Sequence, residues 1–225
     1  MTNHMRKHLL LLCSTLIFSI FTTNAQTRLF IDPDFASYGY SHKTMGILPF
    51  ATEINLRPRQ LKKMQAGDLE KMEHQESLNI QESMYSWFLR RKQQNKLWVD
   101  VQDVTTTNAI LAKHNITSDN ISEYTSSEIA KILEVDALIR GNFQTSKPMS
   151  EGASIALGLL VGFYGVTNTS VIDLFIHDQK TGKVLVNYNK RVSGSIGSTT
   201  DQLINILMRK SSRRIPYCKP KKEMD

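Results

Sequence analysis

The sequence predicts an α/β (α+β) fold, a single mixed sheet of about five strands with helices packed on it. Short apolar or alternating runs at 43–50, 97–104, 136–145, 169–178 and 183–192 have the length and period of strands. Between and after them lie segments with apolar residues at helical spacing, several opened by capping residues. A composition that is 40% hydrophobic and 22% charged suits a packed core in water.

The first 25 residues stand apart from this pattern. Arg6 and Lys7 make a positive start with no acid before Asp32, Leu9 to Phe21 is almost wholly apolar, and Thr23-Asn24-Ala25 offers small residues for cleavage. That arrangement predicts a secretory signal peptide over 1–25, cleaved near Ala25, and a protein exported to the periplasm or the outer-membrane periphery. An uncleaved anchor is the alternative, but the run is shorter than the roughly 20 residues a spanning helix needs. Cys13 follows Leu12 rather than a small residue, so lipidation there is not expected. Cleavage leaves Cys218 as the one cysteine, and stability then comes from packing rather than from an intrachain disulfide. The roughly 200 residues that remain suffice for one domain with its own core.

The whole chain carries a formal charge of +7, and removing Arg6 and Lys7 leaves 26 basic against 21 acidic residues. Much of the excess sits in Arg209, Lys210, Arg213, Arg214, Lys219, Lys221 and Lys222, giving a basic tail over 216–225. Such a tail suits solvent, anionic headgroups or an acidic partner. Without interleaved aromatic residues in an exported chain, nucleic acid is not an expected partner.

In chain order, 26–42 reads as an extended lead-in containing Asp32-Pro33-Asp34 and the Tyr38-Gly39-Tyr40 cluster, and the domain proper is expected over 43–215. Lys43 to Phe50 (KTMGILPF) is a buried strand stopped by Pro49. Leu56 to Asn95 is a long helical region in which Ile80, Met84, Trp87 and Phe88 form one face, a core stripe. Leu97 to Val104 alternates like a strand with one covered face, and Thr105 to His114 reads as a short helix. Thr125-Ser126-Ser127-Glu128 is a capping box, and Ile129, Ile132 and Leu133 supply the apolar face of the helix it opens, ending near Val135. Asp136 to Thr145 is a strand in which Gly141 marks a bend or a close approach. Thr169 to Asp178 and Lys183 to Val192 form a hairpin around Gln179-Lys180-Thr181-Gly182. Ser198-Thr199-Thr200-Asp201 is a second capping-box pattern, opening a helix with Leu203, Ile206 and Leu207 on its apolar face and Pro216 beyond its end.

One segment does not fit the alternation. Gly152 to Asn168 (GASIALGLLVGFYGVTN) carries no charge and has glycines closely spaced, including a Gly158 to Gly162 pair. Three readings stay open for this insert at 152–168: a buried glycine-rich hairpin or loop, a membrane-inserting or oligomerising element, and a spanning helix of barely sufficient length.

Catalytic and metal patterns are missing. The histidines at 4, 8, 42, 74, 114 and 177 lack paired metal-ligand spacing. No GxSxG elbow, phosphate-binding loop or CxxC occurs, and Gly194-Ser195-Ile196-Gly197 reads as a glycine turn. Asp173 and Asp178, five residues apart along a strand, face opposite sides and read as structural. Cys218 is expected to be exposed beside the lysines of the tail, where those cations could lower its thiol pKa; a free thiol and an intermolecular disulfide both stay open, and the inert thiol is the reading preferred. No enzyme, cofactor or metal is expected.

Three segments carry a resemblance. KTMGILPF (43–50) resembles the first strand of the periplasmic fold shared by the curli secretion lipoprotein CsgG and the amino-terminal domain of TolB. LEVDALIRGNF (133–143) and VIDLFIHDQKTGKVL (171–185) resemble the later strand and hairpin of the same proteins. The resemblance spans roughly 43–213 in order of elements and implies a CsgG-like or anticodon-binding-domain-like envelope domain. In CsgG, membrane-spanning hairpins leave such strands and assemble into a pore, and the 152–168 insert falls where one of them would be. The insert lacks the alternation of a transmembrane strand.

The expected function is therefore that of a non-enzymatic envelope protein, a partner-binding or assembly component at the outer membrane. Its expected contacts are Ile155, Leu157, Gly158, Leu159, Leu160, Gly162, Phe163 and Tyr164, directed to an envelope protein, a second copy or the membrane. The alternative is a soluble periplasmic ligand- or peptide-binding module with the insert buried.

Overall fold

The computed structural model describes residues 27–62, 64–146, 169–193 and 200–218, and of Thr200 and Asp201 the backbone only. Among the described residues the strands are β1 (Thr27–Ile31), β2 (Thr44–Ile47), β3 (Ala51–Ile54), β4 (Asp100–Val101), β5 (Ala137–Thr145), β6 (Thr169–Asp178) and β7 (Val184–Ser193). The α-helices are α1 (Phe35–Gly39), α2 (Pro58–Leu61), α3 (Asp68–Gln93), α4 (Val104–Lys113), α5 (Ser126–Ile132) and α6 (Thr200–Arg214). All seven strands join one mixed sheet in the order β1-β7-β6-β5-β2-β4, with β3 beside the far half of β5. β2 and β3 run parallel to β5, and β4 parallel to β2. β6, β7 and β1 add antiparallel neighbours on the other side of β5.

The fold class agrees with the sequence reading, with seven strands in place of about five. Both additions have a local cause. Pro49 has no N–H to give, so the 43–50 run breaks after Ile47, and the chain resumes at Ala51 to pair a second time with β5. The lead-in forms β1 because Thr27 to Ile31 finds the edge of the hairpin, in register with Lys190 to Val186. The Leu97 to Val104 strand is shorter than expected, two residues long. Asp103 ends it by accepting the Thr106 N–H at 2.9 Å, which caps α4 and starts that helix at Val104. The Thr125 box forms as expected: Glu128 N–H donates to Thr125 Oγ1 at 3.2 Å and Thr125 N–H to the Glu128 carboxylate at 2.8 Å.

Alternation along the strands decides which side each helix covers. In β6, residues 170 to 178 at even positions are buried and the odd ones half-buried. The even side carries the main core, where Ile80, Met84 and Phe88 of α3 and Leu203, Leu207 and Met208 of α6 pack on Ile139, Phe143, Leu174, Ile176 and Tyr188. Each such side chain contributes on the order of 1.5–3 kcal/mol by leaving water. Trp87, at the rim of the expected stripe, is half-buried with the Arg90 guanidinium 4.8 Å from its ring centre. Among the described residues, the other side is covered over β2 and the start of β5, where Leu111 of α4 and Ile129 and Leu133 at α5 meet Leu48 and Leu138.

Gly141 is where the backbone is approached. A Cβ built there would lie 2.3 Å from the Phe50 ring and 2.8 Å from the Asp173 carbonyl oxygen, so the ring that follows Pro49 needs a bare backbone beneath it. The resembling segments KTMGILPF, LEVDALIRGNF and VIDLFIHDQKTGKVL form adjacent parts of the sheet, β2, β5 and the β6–β7 hairpin.

Candidate functional site

The eight contact residues expected between Ile155 and Tyr164, and the whole 152–168 insert, lie outside the described residues, as do residues 198 and 199 of the second capping box. What the structure does place is the position from which the insert leaves. Thr145 pairs with Ser170 and Thr169 with Ser193, so the ends of β5 and β7 and the start of β6 lie side by side. Ser146 N–H donates to the Thr169 carbonyl at 3.2 Å, and Thr169 N–H donates to Ser146 Oγ at 3.1 Å. Residues 147–168 therefore leave and re-enter the fold at neighbouring points. At the same end Thr27 pairs with Lys190, three residues from the end of β7, and its hydroxyl takes a hydrogen bond from the Lys190 ammonium. Thr27, Ser146, Thr169 and Ser193 thus lie towards one pole of the sheet. Leu29 and Phe30 beside it are exposed, 36% and 47%, on the strand that ends the sheet. Lys190 is buried with its pKa lowered, first by burial and then by the neighbouring charges of Lys210 and Arg214.

The opposite pole is closed by a polar cluster. His42 shares a 2.7 Å hydrogen bond with the Tyr217 hydroxyl through Nδ1 and lies 2.8 Å from Asp178 Oδ1 through Nε2. Asp178 Oδ2 accepts from both the N–H and the hydroxyl of Thr181, each at 2.7 Å. Burial alone would raise the Asp178 pKa, but the Thr181 and His42 hydrogen bonds outweigh it and hold the carboxyl below its ordinary value. Nε2 faces the Asp178 carboxylate, which can only accept, so a proton on Nε2 leaves Nδ1 to face the Tyr217 hydroxyl. Tyr217 keeps its own proton, because burial first, and the Asp178 and Asp136 charges second, push its pKa up. Next to the cluster, the N–H groups of Lys43 and Thr44 donate to Asp136 Oδ2 at 2.7 and 3.0 Å. The three side chains are 6%, 3% and 0% exposed, and both ring nitrogens and both carboxylate oxygens are engaged within the fold, so Asp178 is structural as expected. Asp173, on the half-buried side of β6, accepts instead from Asn187 at 2.8 Å.

Cys218 corrects an expectation. The chain does not leave the fold at 216: Pro216 and Tyr217 are buried, and Cys218 packs against the main core. Burial pushes its thiol up to about 12, only partly opposed by Arg91, the reverse of a thiol activated by tail lysines.

A third feature has no counterpart in the sequence reading. At the break between β2 and β3 a cavity of about 600 Å³ lies among α3, α4, the loop at 116–122 and the middle of β5. Leu48, Phe50, Leu111 and Ile116 form its buried apolar part. Asn108 at its wall is held by a reciprocal amide pair with buried Gln81, at 2.9 and 3.0 Å, and Gln81 also donates to the Ile47 carbonyl at 2.7 Å. Arg140 also lines it, with Nη2 donating to Ile121 O at 2.9 Å and Nη1 to Tyr124 O at 3.3 Å. The signal available in the sequence was an arginine at an inward-reading position of the apolar strand 136–145, next to a glycine.

No protein-family model matches the chain, and no curated protein matches it. Solved structures similar to it include the PelC dodecamer from Paraburkholderia phytofirmans, with 8% identity over 87% of this chain and 98% of that one and a TM-score of 0.45. Lipoprotein GNA1162 from Neisseria meningitidis is similar at 12% identity over 76% of this chain and 95% of that one, TM-score 0.40. The hypothetical protein CT253 from Chlamydia trachomatis is similar at 12% identity over 77% and 95%, TM-score 0.38. At these scores the likeness is one of outline. Among the described residues no helix is long and apolar enough to cross a membrane.

Proposed function

We propose that this chain is an exported, non-enzymatic envelope protein that binds a partner or assembles at the outer membrane, presenting its uncharged 152–168 segment from the pole marked by Thr27, Ser146, Thr169 and Ser193. One observation carries the reading: the apolar, glycine-rich stretch leaves the sheet at the same end as Thr27, close after the segment read as an export signal. A chain delivered across a membrane and a segment suited to apolar surroundings then point the same way, while the polar network closes the far pole. The exposed Leu29 and Phe30 extend the contact surface along β1. The resemblance of β2, β5 and the β6–β7 hairpin to CsgG and TolB agrees with an envelope role. Among the described residues, His42, Asp178 and Tyr217 engage one another and Thr181 within the fold.

The test replaces residues 147–168 by a short Gly-Ser turn between Ser146 and Thr169, and compares cell fractionation and native mass with the full chain. The expected result is loss of membrane association or of the larger assembly with the sheet intact by circular dichroism. An unchanged fractionation and an unchanged mass would overturn the proposal.

A further inference from the structure

We infer that the cavity between α3, α4 and β5 is a binding site for a small anionic amphiphile of the fatty-acid class, an apolar chain ending in one carboxylate, with Arg140 as the residue that selects the head group. The inference is independent of what the 147–168 segment meets.

The cavity's size, about 600 Å³, falls in the range of roughly 300–1,000 Å³ common for small-molecule sites. Its chemistry is divided. Leu48, Phe50, Leu111 and Ile116 make a buried apolar floor, whereas Ala112, Ser118, Ser122 and Asn142 around it are exposed and define the mouth. Among the described residues, Arg140 is the one permanently charged side chain in the lining, and no Asp or Glu contributes to it. A molecule filling this space therefore meets hydrocarbon over most of its surface and a single uncompensated positive charge.

Arg140 is also positioned in advance. Its two bonds to Ile121 O and Tyr124 O fix the guanidinium against the 121–124 turn, and a guanidinium carries five N–H donors, so three remain. A planar fork with donors to spare suits a carboxylate, whose two oxygens match it and whose single charge balances it. A cationic head is repelled, and a neutral alcohol forfeits the charge-assisted bond. The Gln81–Asn108 amide pair holds α3 and α4 at a fixed separation on the cavity's inner side, which keeps the space open without a ligand.

Isothermal titration of the folded, full-length protein with decanoate, decanol and decylammonium, each below its aggregation concentration, tests this. Decanoate is expected to bind at one site, about ten- to a hundredfold tighter than decanol, the range expected for a charge-assisted hydrogen bond, and decylammonium not measurably. Arg140→Gln should bring decanoate down to the level of decanol, and Arg140→Lys should restore part of the difference. Ala112→Trp, at the exposed mouth, should abolish both. Should Arg140→Gln not fold, the decanoate to decanol ratio of the natural chain and the Ala112→Trp block decide alone. Absence of decanoate binding, equal binding of decanoate and decanol, or binding that survives Ala112→Trp overturns the inference.

Discussion

The two poles of the sheet are built from the same strands and behave as opposites. At one, β2, β5, β6 and β7 are tied together by His42, Asp136, Asp178, Thr181 and Tyr217, residues brought together from positions up to 175 apart in the chain. At the other, β5, β6 and β7 end in register, and three segments lead away from them. The difference teaches that a polar network closes one end of the sheet, while the other is the end from which residues 147–168 leave.

The largest expected effect is at the closed pole. Tyr217 is fully buried, its ring centre 5.1 Å from that of Phe35 and 5.4 Å from that of Trp98, and its hydroxyl bonds His42. Tyr217→Ala should cost about 3–5 kcal/mol, the range for truncating a buried aromatic residue, read from urea unfolding midpoints. A loss under about 1 kcal/mol would mean the pole is not held there.

A smaller effect comes from acid. The Asp178 pKa is lowered in the folded state, so its contribution is fully present above the unfolded carboxyl value of about 3.9 and is lost as pH falls through the lower folded value. Asp136 is lowered as well: burial opposes the shift, and the Lys43 and Thr44 amides and nearby positive charge overcome it. The natural protein should therefore lose stability steeply below about pH 4. Asp178→Asn, destabilised by about 1–3 kcal/mol at neutral pH, should show a shallower acid limb. Parallel acid limbs for the two proteins would remove Asp178 from this account.

The smallest effect belongs to the open pole. Thr169→Ala leaves the paired backbone in place, and it should change global stability by no more than about 0.5 kcal/mol. Native-state hydrogen exchange then sharpens the contrast. The amides of Ser146 and Thr169 should exchange by local fraying, whereas those of Thr181 and Gly182 should require near-global opening. Equal protection at both ends would erase the distinction.

What was readable in the sequence was local. Periodicity marked α3, α6 and the hairpin strands, Thr125 and Glu128 marked the start of α5, and Gly141 marked the close approach that turns out to be the Phe50 ring. Pro49 was read as a stop, which is correct for β2, but a proline does not say that the chain returns to the same neighbour as β3. Leu97 to Val104 alternates convincingly, yet the Asp103 cap took its last residue into a helix. The polar cluster was illegible because His42, Asp178 and Tyr217 lie far apart in the chain, and nothing in their own surroundings distinguishes a buried histidine from a surface one. Tyr217 and Cys218 were assigned to a solvated tail because the lysines that follow dominate the local composition. The cavity, a space between segments distant in the chain, has no period to detect.

The Tyr217 lock also sets an order of events. β2 is made early in synthesis, but the ring that covers His42 and the carbonyl that accepts the Trp98 N–H at 3.3 Å are added some 120 residues or more later. β1 likewise waits for its partner β7. A growing polypeptide thus lacks the means to close until nearly the whole domain has left the ribosome. The fold locks only once that last turn, which carries Tyr217, is in place.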